Sequence, residues 1–217
     1  MMYKALICDL DGTILDTIHT IAYYLNRALS DLGLPTVKEE DCCYFAGDGA
    51  VNLMKRALKS NGITDEETVM RVHSHYMDIY NAEPLYKTDV FPNVIETFKE
   101  LRKTGVKLAV ISNKQHEAVV PVVEHFFPGV FDLTLGNSKD FPLKPNKEIG
   151  LFAMEKLGVE PSEVVYLGDT STDMIFGKAI SAGKNVGVLW GFRDYDELLE
   201  NGADLIIDDV RALLELF

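Results

Sequence analysis

Short stretches in which nearly every residue is apolar, alternating with stretches of helical period, constrain this chain more than any other feature. The first covers residues 3–10 and stops at acids and a glycine. A half-exposed strand alternates apolar and polar residues, so a run apolar at almost every position reads as a strand covered on both faces, as in a parallel sheet. Similar runs recur at 106–111, 131–135, 164–167, 186–189 and 204–207. Helical patterns separate them at 93–103, 117–126, 147–157, 173–181, 195–200 and 210–216. This alternation calls for right-handed crossovers and an open parallel sheet with helices on its faces. Ligands of such sheets bind beyond the carboxyl ends of the strands.

Residues 16–85 break the alternation. Ile18, Ile21, Ala22, Leu25, Ala28, Leu29 and Leu32 fall at helical spacing, and Gly33 follows as a stop. Thr36 with Glu39, and Thr64 with Glu67, have capping-box spacing and predict two more helix starts. Val51, Met54 and Leu58, then Val72, Tyr76, Ile79 and Tyr80, continue the period. The organisation predicted is a core of residues 1–15 and 86–217 with a small helical domain, 16–85, inserted after the first strand.

Composition excludes several function classes. With 21 Lys and Arg against 34 Asp and Glu, the 217 residues carry a formal charge of −13. That surface repels a phosphate backbone or an anionic bilayer, so neither a nucleic acid nor a membrane is an expected partner. No run of about 18 apolar residues occurs, as a spanning helix would need. The first residues place acids where a signal peptide keeps its cleavage site, and the three cysteines show no CxxC spacing. Both point to a reduced, cytoplasmic protein. The oligomeric state is left open.

Four short segments lie at carboxyl ends of the predicted strands. Asp9-Leu10-Asp11-Gly12-Thr13 carries two carboxylates that repel unless a cation or a proton lies between them. Ile111-Ser112-Asn113-Lys114 offers a hydroxyl, an amide and backbone N–H groups suited to an anion. Lys144-Pro145-Asn146 opens a helix. Gly168-Asp169-Thr170-Ser171-Thr172-Asp173 sets two carboxylates four residues apart, as hard-cation ligands or as helix caps. Singly, each has an ordinary reading: an acidic turn, loop polarity, a solvated lysine, a cap.

Together, and in this order, DLDGT, ISNK, LKPN and GDTSTD resemble the four motifs of the haloacid dehalogenase-like phosphohydrolase superfamily: DxDGT, a strand-end Ser or Thr, a Lys, and GDxxxD. The resemblance spans essentially the whole chain. It implies an α/β, Rossmann-like parallel sheet core plus an inserted all-helical cap. It also implies a phosphatase of small phosphorylated metabolites working through an aspartyl-phosphate. Asp9 would be the nucleophile and Asp11 the acid and base. Mg²⁺ would be held by Asp9, the backbone carbonyl of Asp11 and Asp169, with Asp173 in support. Ser112 and Lys144 would grip the phosphoryl oxygens, assisted by Thr13 and by Asn113 through its N–H, and Lys144 would also screen Asp9. At the reference Asp pKa of about 3.9, Asp9 is ionised at neutral pH. Only about one Asp11 in a thousand would then carry the proton an acid must give, so its environment is expected to raise its pKa.

Within the cap, the stretch GDGAVNLMKRAL is similar to the cap loop of phosphoglycolate phosphatases, and an interhelical turn is its ordinary reading. Asp48, Asn52 and Arg56 are candidate substrate-selecting residues, although a bare Asp48 would repel a carboxylate on the substrate. A sugar-phosphate mutase of the β-phosphoglucomutase type is the alternative activity, and a non-catalytic phospho-acceptor module a more remote one. Four other features read as packing. His73 and His75 point apart on one helix, and Cys8 faces away from Asp9 by strand alternation. Tyr23 and Tyr24 suit cap packing, and Trp190 and Phe192 suit core or rim positions, with the border of a site mouth as their other reading.

Overall fold

The computed structural model describes residues 3–217; residues 1 and 2, assigned above to the core, lie outside the described residues. The described chain divides into two compact units, one running to Asp16 and resuming at Val90–Phe217, the other Thr17–Asp89.

The first unit is built on a six-stranded parallel sheet. Its strands are β1 (Ala5–Cys8), β4 (Lys107–Gln115), β5 (Leu133–Asn137), β6 (Val164–Gly168), β7 (Lys184–Val188) and β8 (Leu205–Ile207). They lie in the order β5-β4-β1-β6-β7-β8. The sheet grows from β1 toward β5, then resumes on the other side of β1, so β1 stands where its direction of growth reverses. The four residues of β1 are all buried, as the unbroken apolar run requires. One face carries Ala5, Ile7, Ala109, Ile111, Val164 and Tyr166. It packs on Ile149, Ala153 and Met154 of α7 (Glu148–Leu157) and on Phe176 and Ile180 in and after α8 (Ser171–Ala179). By strand alternation, Leu6, Cys8, Leu108, Val110, Val165 and Leu167 face the other way, and they too are buried. The remaining helices are α5 (Val94–Lys103), α6 (His116–Phe126) and α9 (Tyr195–Asn201).

Some predicted boundaries shift. β4 runs on past Ile111 to Gln115, with a register irregularity between Ser112 and Gln115. β7 starts at Lys184, because Val165 pairs with that residue. The helix expected at 210–216 is a 3-10 stretch, Val210–Glu215, with Asp209 accepting from the Arg211 N–H.

The second unit holds α1 (Ile18–Asp31), α2 (Glu39–Phe45), α3 (Ala50–Ser60) and α4 (Glu66–Ala82). The predicted stripe is the buried face of α1. Val69, Val72, Tyr76 and Tyr80 are the buried residues of α4, and the Tyr24 ring lies edge-on to Tyr80 at 5.4 Å. Neither predicted capping box forms. Asn26 holds both the N–H and the carbonyl of Val37, so the chain stays extended there and α2 starts only at Glu39. At α4 the cap is Asp65, whose carboxylate accepts from the Thr68 N–H at 2.8 Å and displaces Thr64 by one position. His75 pairs with Asp31 of α1. The short strands β2 (Leu15–Asp16) and β3 (Asp89–Val90) pair as a two-stranded ribbon. Among the described residues, no helix is long and apolar enough to cross a membrane.

Candidate active site

Parallel register brings the four segments to one edge of the sheet. Cys8 pairs with Val110 on one side and Leu167 on the other, and the Asp9 N–H still donates to the Leu167 carbonyl at 2.9 Å. Asp9 therefore leaves the sheet between Ser112 and Asp169, one or two residues beyond those pairings. Gly12 follows at φ 85°, and a Cβ there would lie 2.3 Å from Asp169 Oδ2. The glycine of DLDGT is thus required for the turn to lie against Asp169. Gly191 approaches Asp169 equally closely from the loop after β7.

Lys144 is the hub of this edge. Its side chain is 1% exposed, and Nζ donates to Asp9 Oδ1 at 2.7 Å, Asp173 Oδ1 at 2.8 Å and the Tyr166 hydroxyl at 3.1 Å. Three donors meet three acceptors, which a buried ammonium needs. Its backbone is held as firmly: the Asn113 Oδ1 accepts the Lys144 N–H at 2.7 Å and Nδ2 donates to its carbonyl at 3.3 Å. Asn113 thus also seats Lys144 through its side chain, a contact in addition to the role expected of its N–H.

Asp173 is saturated. Oδ1 accepts from Lys144 and Tyr166, and Oδ2 accepts from the N–H and hydroxyl of Thr170, in a reciprocal capping box at the start of α8. Asp169 accepts from the Thr13 hydroxyl at 2.8 Å and the Phe192 N–H at 2.9 Å. Thr13, expected at the substrate, is engaged with Asp169. Trp190 donates its indole N–H to the Thr13 carbonyl at 2.9 Å. Trp190 thus ties down the first turn, and Phe192, whose side chain is buried in the core as expected, reaches Asp169 through its backbone N–H. Asp11 pairs with Lys114 at 2.7 Å. Ser112 is buried, and its hydroxyl oxygen accepts the Lys114 N–H.

Burial dominates the electrostatics. It pushes the Asp9 carboxyl up to about 7, against the opposing pull of Lys144 and with Asp173 adding to the rise. The ordinary value assumed from sequence does not hold in this pocket. Asp169 is raised well above the usual range by burial, then by Asp173 and Asp9. Burial opposes the charge on Lys144, but Asp173 and Asp9 outweigh it and hold the ammonium above its ordinary range. Such a cluster is short of positive charge. One oxygen each from Asp9, Asp169 and Asp173 lies within 4.8 Å of the others, and carboxylate oxygens suit a small hard cation. Each Asp173 oxygen already accepts two hydrogen bonds, whereas each Asp169 oxygen accepts one, so Asp9 and Asp169 keep the greater capacity to face a cation. Cys8 lies behind the site with its thiol turned to the Ala109 carbonyl, and burial raises its pKa.

In the other unit, Arg56 grips Asp48 with two nitrogens, at 2.5 and 2.6 Å, and also donates to the Phe45 carbonyl. Asn52 donates to the Asp48 backbone and side chain. Tyr166 and Lys114 were not singled out from sequence as site residues. A phenol inside an aliphatic strand, which needs a polar partner when buried, was the available signal for the first.

The haloacid dehalogenase-like hydrolase family matches residues 6–187. A phosphoglycolate phosphatase of Pseudomonas putida is 34% identical over 211 residues, 95% of this chain and 76% of that protein. One from Haemophilus influenzae is 31% identical over 220 residues, 99% and 98% of the two chains. A crystal structure from Lactobacillus delbrueckii subsp. bulgaricus superposes with a TM-score of 0.93 at 34% identity, covering 99% of this chain and 98% of that one. Similarity over this length, with DLDGT, ISNK, LKPN and GDTSTD gathered at one sheet edge, leaves a single conclusion: the chain belongs to the haloacid dehalogenase-like hydrolases.

Proposed function

We propose that the chain is a magnesium-dependent phosphatase of small phosphorylated metabolites, phosphoglycolate or a close analogue first among them. The observation that carries this reading is the buried carboxylate cluster around Lys144, with Asp9 at its centre. The phosphoglycolate phosphatases among the relatives support the substrate class. The odd number of cysteines, three, without CxxC spacing suits a reducing, cytoplasmic setting.

Asp9 attacks phosphorus through Oδ2, on which no hydrogen bond among the described residues ends. As the new Asp9–phosphorus bond forms, the bond to the leaving oxygen breaks and its electron pair stays on that oxygen, which takes a proton from Asp11. Asp11 then removes a proton from water, the hydroxyl adds to phosphorus, and Asp9 is released with inorganic phosphate. Ser112, Asn113, Thr13 and Lys144 hold the phosphoryl group or the residues that do, and Lys144 keeps Asp9 in place between attacks. Asp9, Asp169 and the Asp11 carbonyl would hold Mg²⁺, with Asp173 in support; bound there, the ion offsets the repulsion between carboxylate and phosphate dianion. Selection among substrates is assigned to the cap loop through Asp48 and Arg56. Their mutual pairing removes the bare charge that would repel a substrate carboxylate.

The test is phosphate release from a panel of phosphorylated metabolites with magnesium, with product analysis for isomerised sugar phosphates. Isomerisation without net phosphate release would replace this reading by the mutase. Activity is expected to vanish in excess chelator and return with Mg²⁺, while Ca²⁺, which favours a larger and looser shell, substitutes poorly. Asp169→Ala should raise the magnesium requirement by at least about 10–100-fold, the range commanded even by residues behind the direct ligands. Full activity in chelator removes the metal assignment. Asp11→Asn should slow hydrolysis of an alkyl phosphate by about 10²–10⁴-fold, and that of p-nitrophenyl phosphate, whose leaving group needs little protonation, by much less. Equal losses would count against Asp11 as the acid.

A further inference from the structure

We infer that Lys114 is a positioning residue for Asp11, holding its carboxyl in the orientation from which proton transfer occurs. The inference rests on the phosphatase reading above and names a residue that reading leaves without a role.

Lys114 Nζ donates to Asp11 Oδ1 at 2.7 Å, and the two side chains are only 11% and 18% exposed. Exposed ion pairs are loose and contribute little, whereas a charge-assisted bond this short and shielded fixes direction. Among the described residues, Lys114 is the hydrogen-bond partner of the Asp11 carboxylate. The backbone of Asp11 is set by its bridge to Leu15 and by the Gly12 turn, so the lysine supplies what the backbone does not, the side-chain torsions. Lys114 reaches this place because β4 loses regular register between Ser112 and Gln115. Such irregularities re-aim side chains. Its own N–H donates to Ser112 Oγ at 3.2 Å, so one residue ties the proposed acid to the proposed phosphate-holding hydroxyl. As the bond from phosphorus to the leaving oxygen breaks, that oxygen must meet the Asp11 proton within hydrogen-bond reach, and a carboxyl free to swing meets it less often.

The test compares steady-state kinetics of wild type, Lys114→Met, Lys114→Arg, Asp11→Asn and the Lys114→Met/Asp11→Asn double variant, with Mg²⁺, on an alkyl phosphate and on p-nitrophenyl phosphate. Lys114→Met should lower kcat on the alkyl phosphate by about 10–100-fold and on p-nitrophenyl phosphate by only about threefold, as misplacement of a catalytic group predicts. Lys114→Arg should recover most of the loss, and in the Asp11→Asn background Lys114→Met should add almost nothing. Equal losses on both substrates, a rise in KM alone, or a full multiplicative loss in the double variant would each overturn the inference. Should Lys114→Met lose its circular dichroism spectrum, Lys114→Gln is read by the same criteria. Failure of the underlying reading looks different: wild type itself would release no phosphate from any substrate.

Discussion

Asp9→Asn is expected to lower phosphatase turnover by on the order of 10⁴-fold or more while the protein stays folded, as when the nucleophile of a covalent mechanism is lost. The amide matches the carboxylate in size and still accepts from Lys144, but it has no charge with which to attack phosphorus. The same variant carries a second signature. Burial raises Asp9 from 3.8 to about 7 in the folded chain. A group raised on folding contributes stability below its unfolded pKa and loses that contribution as pH climbs through the folded value. Metal-free wild type should therefore lose stability between pH 4 and pH 7, and Asp9→Asn, which cannot ionise, should lose less. Urea unfolding with chelator at several pH values, beside steady-state rates, measures both. Turnover near wild type in a folded Asp9→Asn protein would remove the covalent mechanism.

Lys144→Met should damage both stability and activity. Removing one member of a buried charged network leaves the others uncompensated and typically costs about 3–5 kcal/mol. Asp9 and Asp173 would lose their shared ammonium and Tyr166 one of its partners. The pH dependence has a definite sign. Lys144 is held above its ordinary 10.5, so its contribution is fully present at every pH below that and lost only above. In the variant, Asp9 lacks its counter-charge and rises further above about 7. At pH 5 a neutral Asp9 tolerates the loss, whereas at pH 8 it must ionise unpaired or stay protonated at a cost. The stability gap between variant and wild type should therefore widen from pH 5 to pH 8 in metal-free urea titrations. A gap that is flat with pH, or below about 1 kcal/mol at pH 8, would contradict the hub role. Turnover should collapse together with phosphate affinity.

How much of this could be read from the chain depends on the range of the physics involved. The strands at β1 and β6 were legible because an apolar run records burial on both faces, and burial of a whole strand leaves a local mark. The stripes of α1 and α4 were legible for the same reason. The four chemistry-bearing segments were legible by their order and by their place after the strands. Element starts were less so. Asn26, eleven residues upstream, keeps Val37 extended, and Asp65 takes the cap that Thr64 was expected to supply.

Beyond the expected screening of Asp9 by Lys144, the polar wiring of the site left no local mark in the sequence. Lys144 and Asp9 are 135 residues apart, Thr13 and Asp169 are 156 apart, and Lys114 and Asp11 are 103 apart. No local period relates such residues. They meet because the register of β4, β1 and β6 brings three strand ends level and because Gly12 lets the first turn lie against Asp169. The sequence by itself determined the sheet, the helical insert and the set of charged groups at the strand ends, since hydrophobic periodicity and turn chemistry are local. Which carboxylate is saturated, which keeps an oxygen for chemistry and how far each departs from its ordinary pKa were decided by tertiary structure, because desolvation and charge pairing depend on neighbours that only the folded chain supplies.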